Sequence, residues 1–516
     1  MIEIIPAAVV TILISIVSGG ILWYKKESRI LQIKGVHPEQ ATPGWKGRFR
    51  SSPAPPVVSE GKVHCIDPAT GFVLDTLQAD TSATIQSKIG AAKEAQISFK
   101  ATSWEQRRRF LKTLRAWIMR DMEVLARIAC RDTGKTAIDA AFGELLTTCA
   151  KLNWTLANGE KVLQPETRNL VQLVVCAPEH AEALTRDKRI AHITFIGSDR
   201  IGRAVAAAAA PQLTATTLEL GGKDPAVILP GTNLEFFASM FLRACFQAMG
   251  QNCIGIERWI VPRDMTEALV NTVQSRIASL KCGSFLDDTR FGTQKDIEDV
   301  VDCGAMINDA RFDQLESLIE DAVKQGARLL QGGRRLQHPR WPLGFYFQPT
   351  LLVNVTKTMR IAQEELFAPV FLVMSYDSIQ EAIDIANGTV YGLGSSVFGS
   401  NREDCLRVAD QLECGMVNIN DFGISYLNQG LPFGGCKDSG FGRFAGPEGL
   451  LGLTRAKSRT EDIAFRWVQT SIPPVVDYPV RNTNQSWQCT SSHSLSFTRI
   501  GWPCIRYYEP TYHRVV

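Results

Sequence analysis

Leu218-Glu219-Leu220-Gly221-Gly222-Lys223-Asp224-Pro225 is the stretch that orders the reading of this chain. A carboxylate set between two leucines and followed by a double glycine is withdrawn from water. Such a setting raises its pKa and suits a general base acting on a thiol or a water. A charge at the edge of a strand would produce the same spacing. Working outward, Pro225–Leu229 and Arg258–Val261 are short apolar runs, and Leu173–Cys176 and Ile193–Ile196 are others upstream. Runs of this length, alternating with helical stretches, predict an α/β fold with buried parallel strands covered by helices.

Two neighbouring segments carry further chemistry. Phe246-Gln247-Ala248-Met249-Gly250-Gln251-Asn252-Cys253 places a cysteine directly after a Gly-Gln-Asn turn and ahead of the strand at Arg258. Backbone N–H groups at such a turn can stabilise first a thiolate and then an oxyanion, which makes Cys253 a candidate nucleophile. The alternative is a small core residue, the commoner fate of a cysteine. Upstream, Phe195-Ile196-Gly197-Ser198-Asp199-Arg200-Ile201-Gly202 ends a strand in Gly-Ser and opens a helix. Glycines there let a phosphate approach the helix N-terminus. Without a following Lys-Ser or Lys-Thr the spacing is not a P-loop.

Charge balance narrows the function classes. The 56 Lys and Arg against 53 Asp and Glu leave +3, which excludes a strongly basic nucleic-acid binder. The 13 cysteines include no Cys-x-x-Cys pair and the seven histidines show no metal-ligand spacing. Neither a disulfide framework nor a metal site is expected, and a reducing compartment fits best.

The amino end reads differently from the body. Ile4 to Tyr24 is an uncharged, apolar run closed by Lys25, Lys26 and Arg29, with Trp23 and Tyr24 beside them. Its length and flanks predict a transmembrane anchor over 4–24, with the domain that follows facing the cytosol; the endoplasmic reticulum is a plausible membrane. A Pro- and Gly-rich linker is expected over 25–62 and a folded domain from near Val63. From Trp104 to Cys130 the apolar spacing predicts amphipathic helix with Ser103 as N-cap, and Arg107 to Arg109 as a solvated face. From about Ser486 no periodicity is visible.

In this order and spacing, the three segments resemble the aldehyde dehydrogenase superfamily, in particular its membrane-anchored fungal members. Glu364-Glu365-Leu366-Phe367-Ala368-Pro369-Val370, Pro432-Phe433-Gly434-Gly435-Cys436-Lys437-Asp438-Ser439-Gly440 and Gly442-Arg443 extend the likeness, which runs from about Val63 to Pro474. The resemblance implies a Rossmann-type cofactor domain over 63–220, a catalytic domain over 221–436, an oligomerisation segment over 437–474 and an irregular tail over 475–516. It implies that Cys253 attacks an aldehyde to give a thiohemiacetal and then a thioester, with Glu219 activating the thiol or the hydrolytic water, so that the product is a free acid. It places NAD or NADP with Gly197 and Ser198 by the pyrophosphate, Gly202 at the start of the adjoining helix, Glu365 at the nicotinamide ribose and Phe367 near the nicotinamide. Ala368 stands where the family usually has glycine. A homo-oligomer is expected.

One departure is large. After the helix ending near Leu163, the family pattern requires a strand, a Pro-Trp-Asn turn, a helix, a second strand with a Lys-Pro-Ser-like motif and another helix. Here Gln164-Pro165-Glu166-Thr167-Arg168 runs directly into Asn169-Leu170-Val171, and no Trp-Asn pair occurs anywhere. The loss is on the order of two strand–helix units of about 30 residues each. It removes the family's second oxyanion donor and the lysine that holds the adenosine ribose, and it should expose the edge of a strand built to be buried. Three readings stay open: an active dehydrogenase, an impaired relative that keeps the fold for a structural role, and a product of a truncated reading frame. A thiol protease would need a histidine paired with Cys253, and no motif supplies one.

Overall fold

A computed structural model describes residues 30–33, 35, 37–42, 45, 58–59, 61–100, 102–163, 172–287, 300–457, 479, 481–482 and 511–514. The apolar run 4–24 lies outside them. Among the described residues no helix is long and apolar enough to cross a membrane.

The chain up to Gly452 forms one compact unit. It opens with a small antiparallel sheet of β1 (Val58–Ser59), β2 (Lys62–Ile66) and β3 (Val73–Gln78). Helices follow over Ser82–Lys100, Trp104–Arg120 and Met122–Thr133. Next, Ala137–Ala140 passes through a π-helical turn, Ala141–Leu146, into Thr147–Leu163. The second sheet has three strands: β4 (His192–Ile196) at its edge, β5 (Ala215–Glu219) in the middle, parallel to β4, and a short antiparallel strand, Gly440–Phe441, beyond.

The third and largest sheet forms the core. Its strands are β6 (Asp224–Ile228), β7 (Ile256–Pro262), β8 (Arg328–Gln331), β9 (Thr350–Val353), β10 (Val370–Tyr376), β11 (Gly394–Phe398) and β12 (Met416–Ile419), ordered β12-β11-β6-β7-β10-β9-β8. All pairs are parallel except β9 with β8. Every residue of β6 and β7 is buried, as a parallel sheet covered on both faces requires. Trp259 of β7 stacks on Phe371 of β10 with ring centroids 4.5 Å apart. Arg258, beside it, is buried by design of its partners: its guanidinium donates to Lys223 O, Ile385 O and Ala386 O at 2.7–2.8 Å. The last two carbonyls belong to the C-terminal turn of helix Ile379–Asn387, where orphan acceptors need such a donor.

Several expectations shift. Leu173–Cys176 is not a buried strand: Leu173 is largely exposed, and only a single bridge, Asp80 to Cys176, forms there. Ile193–Ile196 is a strand but a half-exposed one, because β4 has no neighbour on its outer side among the described residues. Ser103 does cap the helix at Trp104, in a reciprocal capping box with Gln106. Arg107 in that helix is buried rather than solvated, with its Nε on Thr102 Oγ1 at 3.0 Å. Part of the expected linker is folded: Ala41 is buried, Gln40 Nε2 donates to Leu74 O, and the first sheet starts at Val58. In the second unit, Leu453–Val515, the expected irregular tail contributes a strand: Thr511–Arg514 pairs antiparallel with Thr454–Lys457.

Candidate active site

Glu219 ends β5, where the chain leaves the three-stranded sheet for the core sheet. Its carbonyl accepts Gly197 N–H at 3.1 Å, and Leu220 N–H donates to Ser439 O at 3.1 Å. Ser439 Oγ donates to Gly221 O at 2.7 Å and accepts Gly392 N–H at 3.0 Å, fixing the double-glycine turn. The Glu219 side chain is 2% exposed, its Oε1 has no hydrogen-bond partner, and burial pushes its pKa up to about 7. The raised carboxyl expected from the flanking leucines is therefore present, with burial as its cause.

Cys253 follows a strained turn. Ala248 and Met249 sit at φ of +51° and +59°, conformations that cost non-glycine residues about 1–3 kcal/mol each. Gly250, at φ +68°, has no room for a side chain: a Cβ would lie 2.2 Å from Ala368 O. The Cys253 thiol faces Asn252 Oδ1 at 4.0 Å, and it lies near enough to the Glu219 carboxyl for each to shift the other's pKa. Its pKa is pushed well above the ordinary value, first by burial and then by the Glu219 charge, while Ile254 N–H acts in the opposite sense. The turn therefore does not yield a preformed thiolate. It yields a thiol beside a base.

Both residues open into a cavity of about 590 Å³. Phe142, Ile254, Phe422, Tyr426, Phe433 and Phe444 form much of its wall, with Ile196 of β4 at another side. Two ion pairs also line it, Lys135 with Glu144 and Arg243 with Asp139.

Glu365 approaches from the loop before β10. Its Oε1 accepts Gly222 N–H at 2.9 Å, and the carboxylate lies where a Gly221 Cβ would be, 2.2 Å from Oε2. Burial, then the charge of Glu257, raises its pKa to about 7. Phe367 is held at φ +51°. Gly197 and Ser198 lie at the exposed turn from β4 into helix Asp199–Ala209, with Ser198 at the N-cap position. Gly202 is buried in that helix, and a Cβ there would meet Leu220 Cδ2 at 2.4 Å, so the glycine lets the helix close onto the turn after Glu219.

Three supporting residues escape a reading by motif. Lys223 and Glu257 form a buried ion pair at 2.5 Å, and Glu257 also accepts Leu366 N–H at 3.1 Å and Phe367 N–H at 2.9 Å. A glutamate and an arginine side by side in a strand that is otherwise apolar were the available signal, since buried charges must be paired. Asp139 accepts Ala248 N–H at 3.0 Å and Arg243 at 2.8 Å, so it holds the strained turn before Cys253 across more than a hundred residues of sequence. Nothing local marks it. Among the described residues no group of three or more His, Cys, Asp or Glu could hold a metal ion.

Comparison with known proteins agrees with this architecture. The model of the aldehyde dehydrogenase family matches residues 57–173 and 167–459, and the chain belongs to that family. The match comes in two pieces that overlap at 167–173, where the departure from the family pattern is expected. An aldehyde dehydrogenase-like protein of Schizosaccharomyces pombe is 42% identical over 502 positions, covering 82% of this chain and 94% of the relative. One of Saccharomyces cerevisiae is 36% identical over 562 positions, covering 91% and 85%. An alignment of 562 positions exceeds the 516 residues of this chain, so the relative carries residues that this chain lacks. Among solved structures, an aldehyde dehydrogenase of Mycobacterium tuberculosis complexed with NAD+ superposes with a TM-score of 0.68 at 25% identity, covering 76% of this chain and 93% of that one.

Proposed function

We propose that this chain oxidises an apolar aldehyde to a carboxylic acid, with NAD or NADP as hydride acceptor, Cys253 as nucleophile and Glu219 as base. The observation that carries the reading is that Cys253 and the buried Glu219 line one cavity walled by aromatic side chains. Glu219 takes the thiol proton as the sulfur attacks the carbonyl carbon, and the carbonyl electrons move onto oxygen. A bound dinucleotide supplies the hydride acceptor that turns the adduct into a thioester. Glu219 passes the thiol proton to solvent and, as carboxylate again, deprotonates a water, which attacks the thioester carbon; the C–S bond breaks, the acid leaves, and the proton from Glu219 returns to the sulfur.

The nicotinamide end of a dinucleotide suits the residues present. Glu365, packed over a glycine that leaves no Cβ in the way, would accept ribose hydroxyls, and Phe367 would flank the ring. Gly197 and Ser198 would sit by the pyrophosphate, and Gly202 would serve the cofactor by letting the adjoining helix pack close behind them. The lysine for the adenosine ribose belongs to the missing segment, so affinity should be reduced. Residues 63–220 would serve the cofactor and 221–436 the chemistry. In the same reading 4–24 tethers the protein to a membrane on its cytosolic side, where apolar aldehydes concentrate, and 437–474 contributes to a homo-oligomer. The charge balance gives no reason to expect a nucleic-acid partner. The unpaired edge of β4 favours a second reading, a non-catalytic relative retained for assembly.

The full chain, incubated with a medium-chain aldehyde and either NAD or NADP, is expected to give reduced dinucleotide at a rate that Cys253→Ala abolishes. Absence of any Cys253-dependent signal, with no dinucleotide binding by calorimetry, selects the second reading.

A further inference from the structure

Outside the cavity lining, Cys282 and Cys303 face each other as partners in an isolated parallel β-bridge. Backbone hydrogen bonds clamp the bridge. Cys303 N–H and Asp302 N–H donate to Lys281 O at 3.1 and 3.0 Å, and Gly283 N–H donates to Cys303 O at 3.0 Å. The Asp302 carboxylate accepts Lys281 N–H at 3.0 Å. Both cysteines are free, and the Cys282 thiol is near enough to Cys303 to shift its pKa. Paired strands run about 4.7–4.9 Å apart. That falls inside the roughly 4.4–6.8 Å between Cα atoms that a disulfide spans, so a bond can close here without rearranging the backbone.

The two thiols are unequal. Cys303 is 2% exposed, and its pKa is pushed well up, first by the neighbouring Cys282 thiol and then by burial. Cys282 is only partly buried, at the rim of a cluster containing Ala69 and Tyr346, and is the sulfur a small oxidant reaches first. The strip that follows Cys303 bears on the active site. Ala305 N–H donates to Gly134 O at 2.9 Å, and Ile307 N–H donates to Gln251 Oε1 at 2.9 Å, two residues before Cys253.

We propose that Cys282 and Cys303 form a switchable disulfide, closed by a peroxide and reopened by a dithiol, that fastens the strip on which the nucleophile's loop rests. In the first step the Cys282 sulfur attacks a peroxide oxygen, the O–O bond breaks, and a sulfenic acid and one water result, the sulfur oxidised and the peroxide reduced. In the second the Cys303 sulfur attacks Cys282, the S–O bond breaks, and the hydroxyl leaves as water with the Cys303 proton. A dithiol reductant reverses the change by exchange. The pair stays open in a reducing compartment and closes under oxidative load.

The test uses the full chain carrying Cys253→Ala, which keeps peroxide from acting at the candidate nucleophile, and needs no enzymatic activity. Trypsin cuts after Lys281, Arg290, Lys295 and Arg311, so the two cysteines fall on separate peptides. After hydrogen peroxide and alkylation, mass spectrometry is expected to find the peptides 282–290 and 296–311 joined. Tm should rise by a few degrees, and dithiothreitol should undo both changes. Adding Cys282→Ser or Cys303→Ser should remove the link and the rise. Recovery of the two cysteines as separately alkylated peptides overturns the proposal, as does a rise in Tm that the serine variants retain.

Discussion

At the scale of the residue, the chemistry turns on one carboxyl. Glu219 must be ionised to accept a proton, and its pKa of about 7 places that change near neutrality. Activity is expected to climb with pH to a plateau, half-maximal near 7. Glu219→Gln should lower the rate by roughly 10²–10⁴-fold and flatten the profile. The same shift has a sign for stability. The folded state keeps a proton that the unfolded chain, with the ordinary value of 4.5, gives up. The contribution is full below about 4.5 and is lost as pH rises towards about 7. Denaturant titrations across that window should show the wild type losing stability relative to Glu219→Gln, and parallel curves would refute the assignment. This much was legible in sequence, because the flanking leucines and double glycine act locally on the carboxyl. Lys223 and Glu257, which brace the Glu365–Phe367 loop, were not, because their pairing joins two strands of the core sheet.

At the scale of the element, the helical run beginning at Ala137 matters more than its sequence suggested. Its π-helical turn Ala141–Leu146 carries Phe142, Gly143 and Glu144 to the cavity, and Gly143 O accepts the Tyr426 hydroxyl at 3.2 Å. One turn earlier, Asp139 holds Ala248 N–H and so over-determines the positive φ angles ahead of Cys253. Asp139→Ala should slow iodoacetamide labelling of Cys253 and aldehyde turnover together by about tenfold or more, for a change near 1.4 kcal/mol. Asp139→Asn, which keeps an acceptor, should recover part of both. Unchanged labelling in Asp139→Ala would remove Asp139 from the site. The strand β4 offers a second case. Its sequence reads as a buried strand, yet among the described residues it stands at the sheet edge, and Ile196, which also lines the cavity, is 61% exposed. An open edge of this kind pairs readily with other chains. Thr194→Lys, a charge at an exposed edge position, should therefore reduce light scattering at high protein concentration. Equal scattering would show the edge to be covered in solution.

At the scale of the whole molecule, the missing segment sets what the chain can do. The family match breaks at 167–173, and β4 stands at the sheet edge. A loss between Arg168 and Asn169 would account for both. Inserting there the two strand–helix units of the family pattern should tighten dinucleotide binding at least tenfold by calorimetry, and should lower light scattering as Thr194→Lys does. No gain in affinity would mean that the binding defect lies elsewhere. Sequence alone determined the α/β class, the three chemical segments and the gap, because periodicity, glycine turns and motif spacing are properties of neighbouring residues. Only the tertiary structure decided that Cys253 and Glu219 line one cavity, that Asp139 and Glu257 brace the loops around them, and that Cys282 meets Cys303. Those facts depend on burial and on contacts between segments far apart in the chain, and no local pattern encodes either.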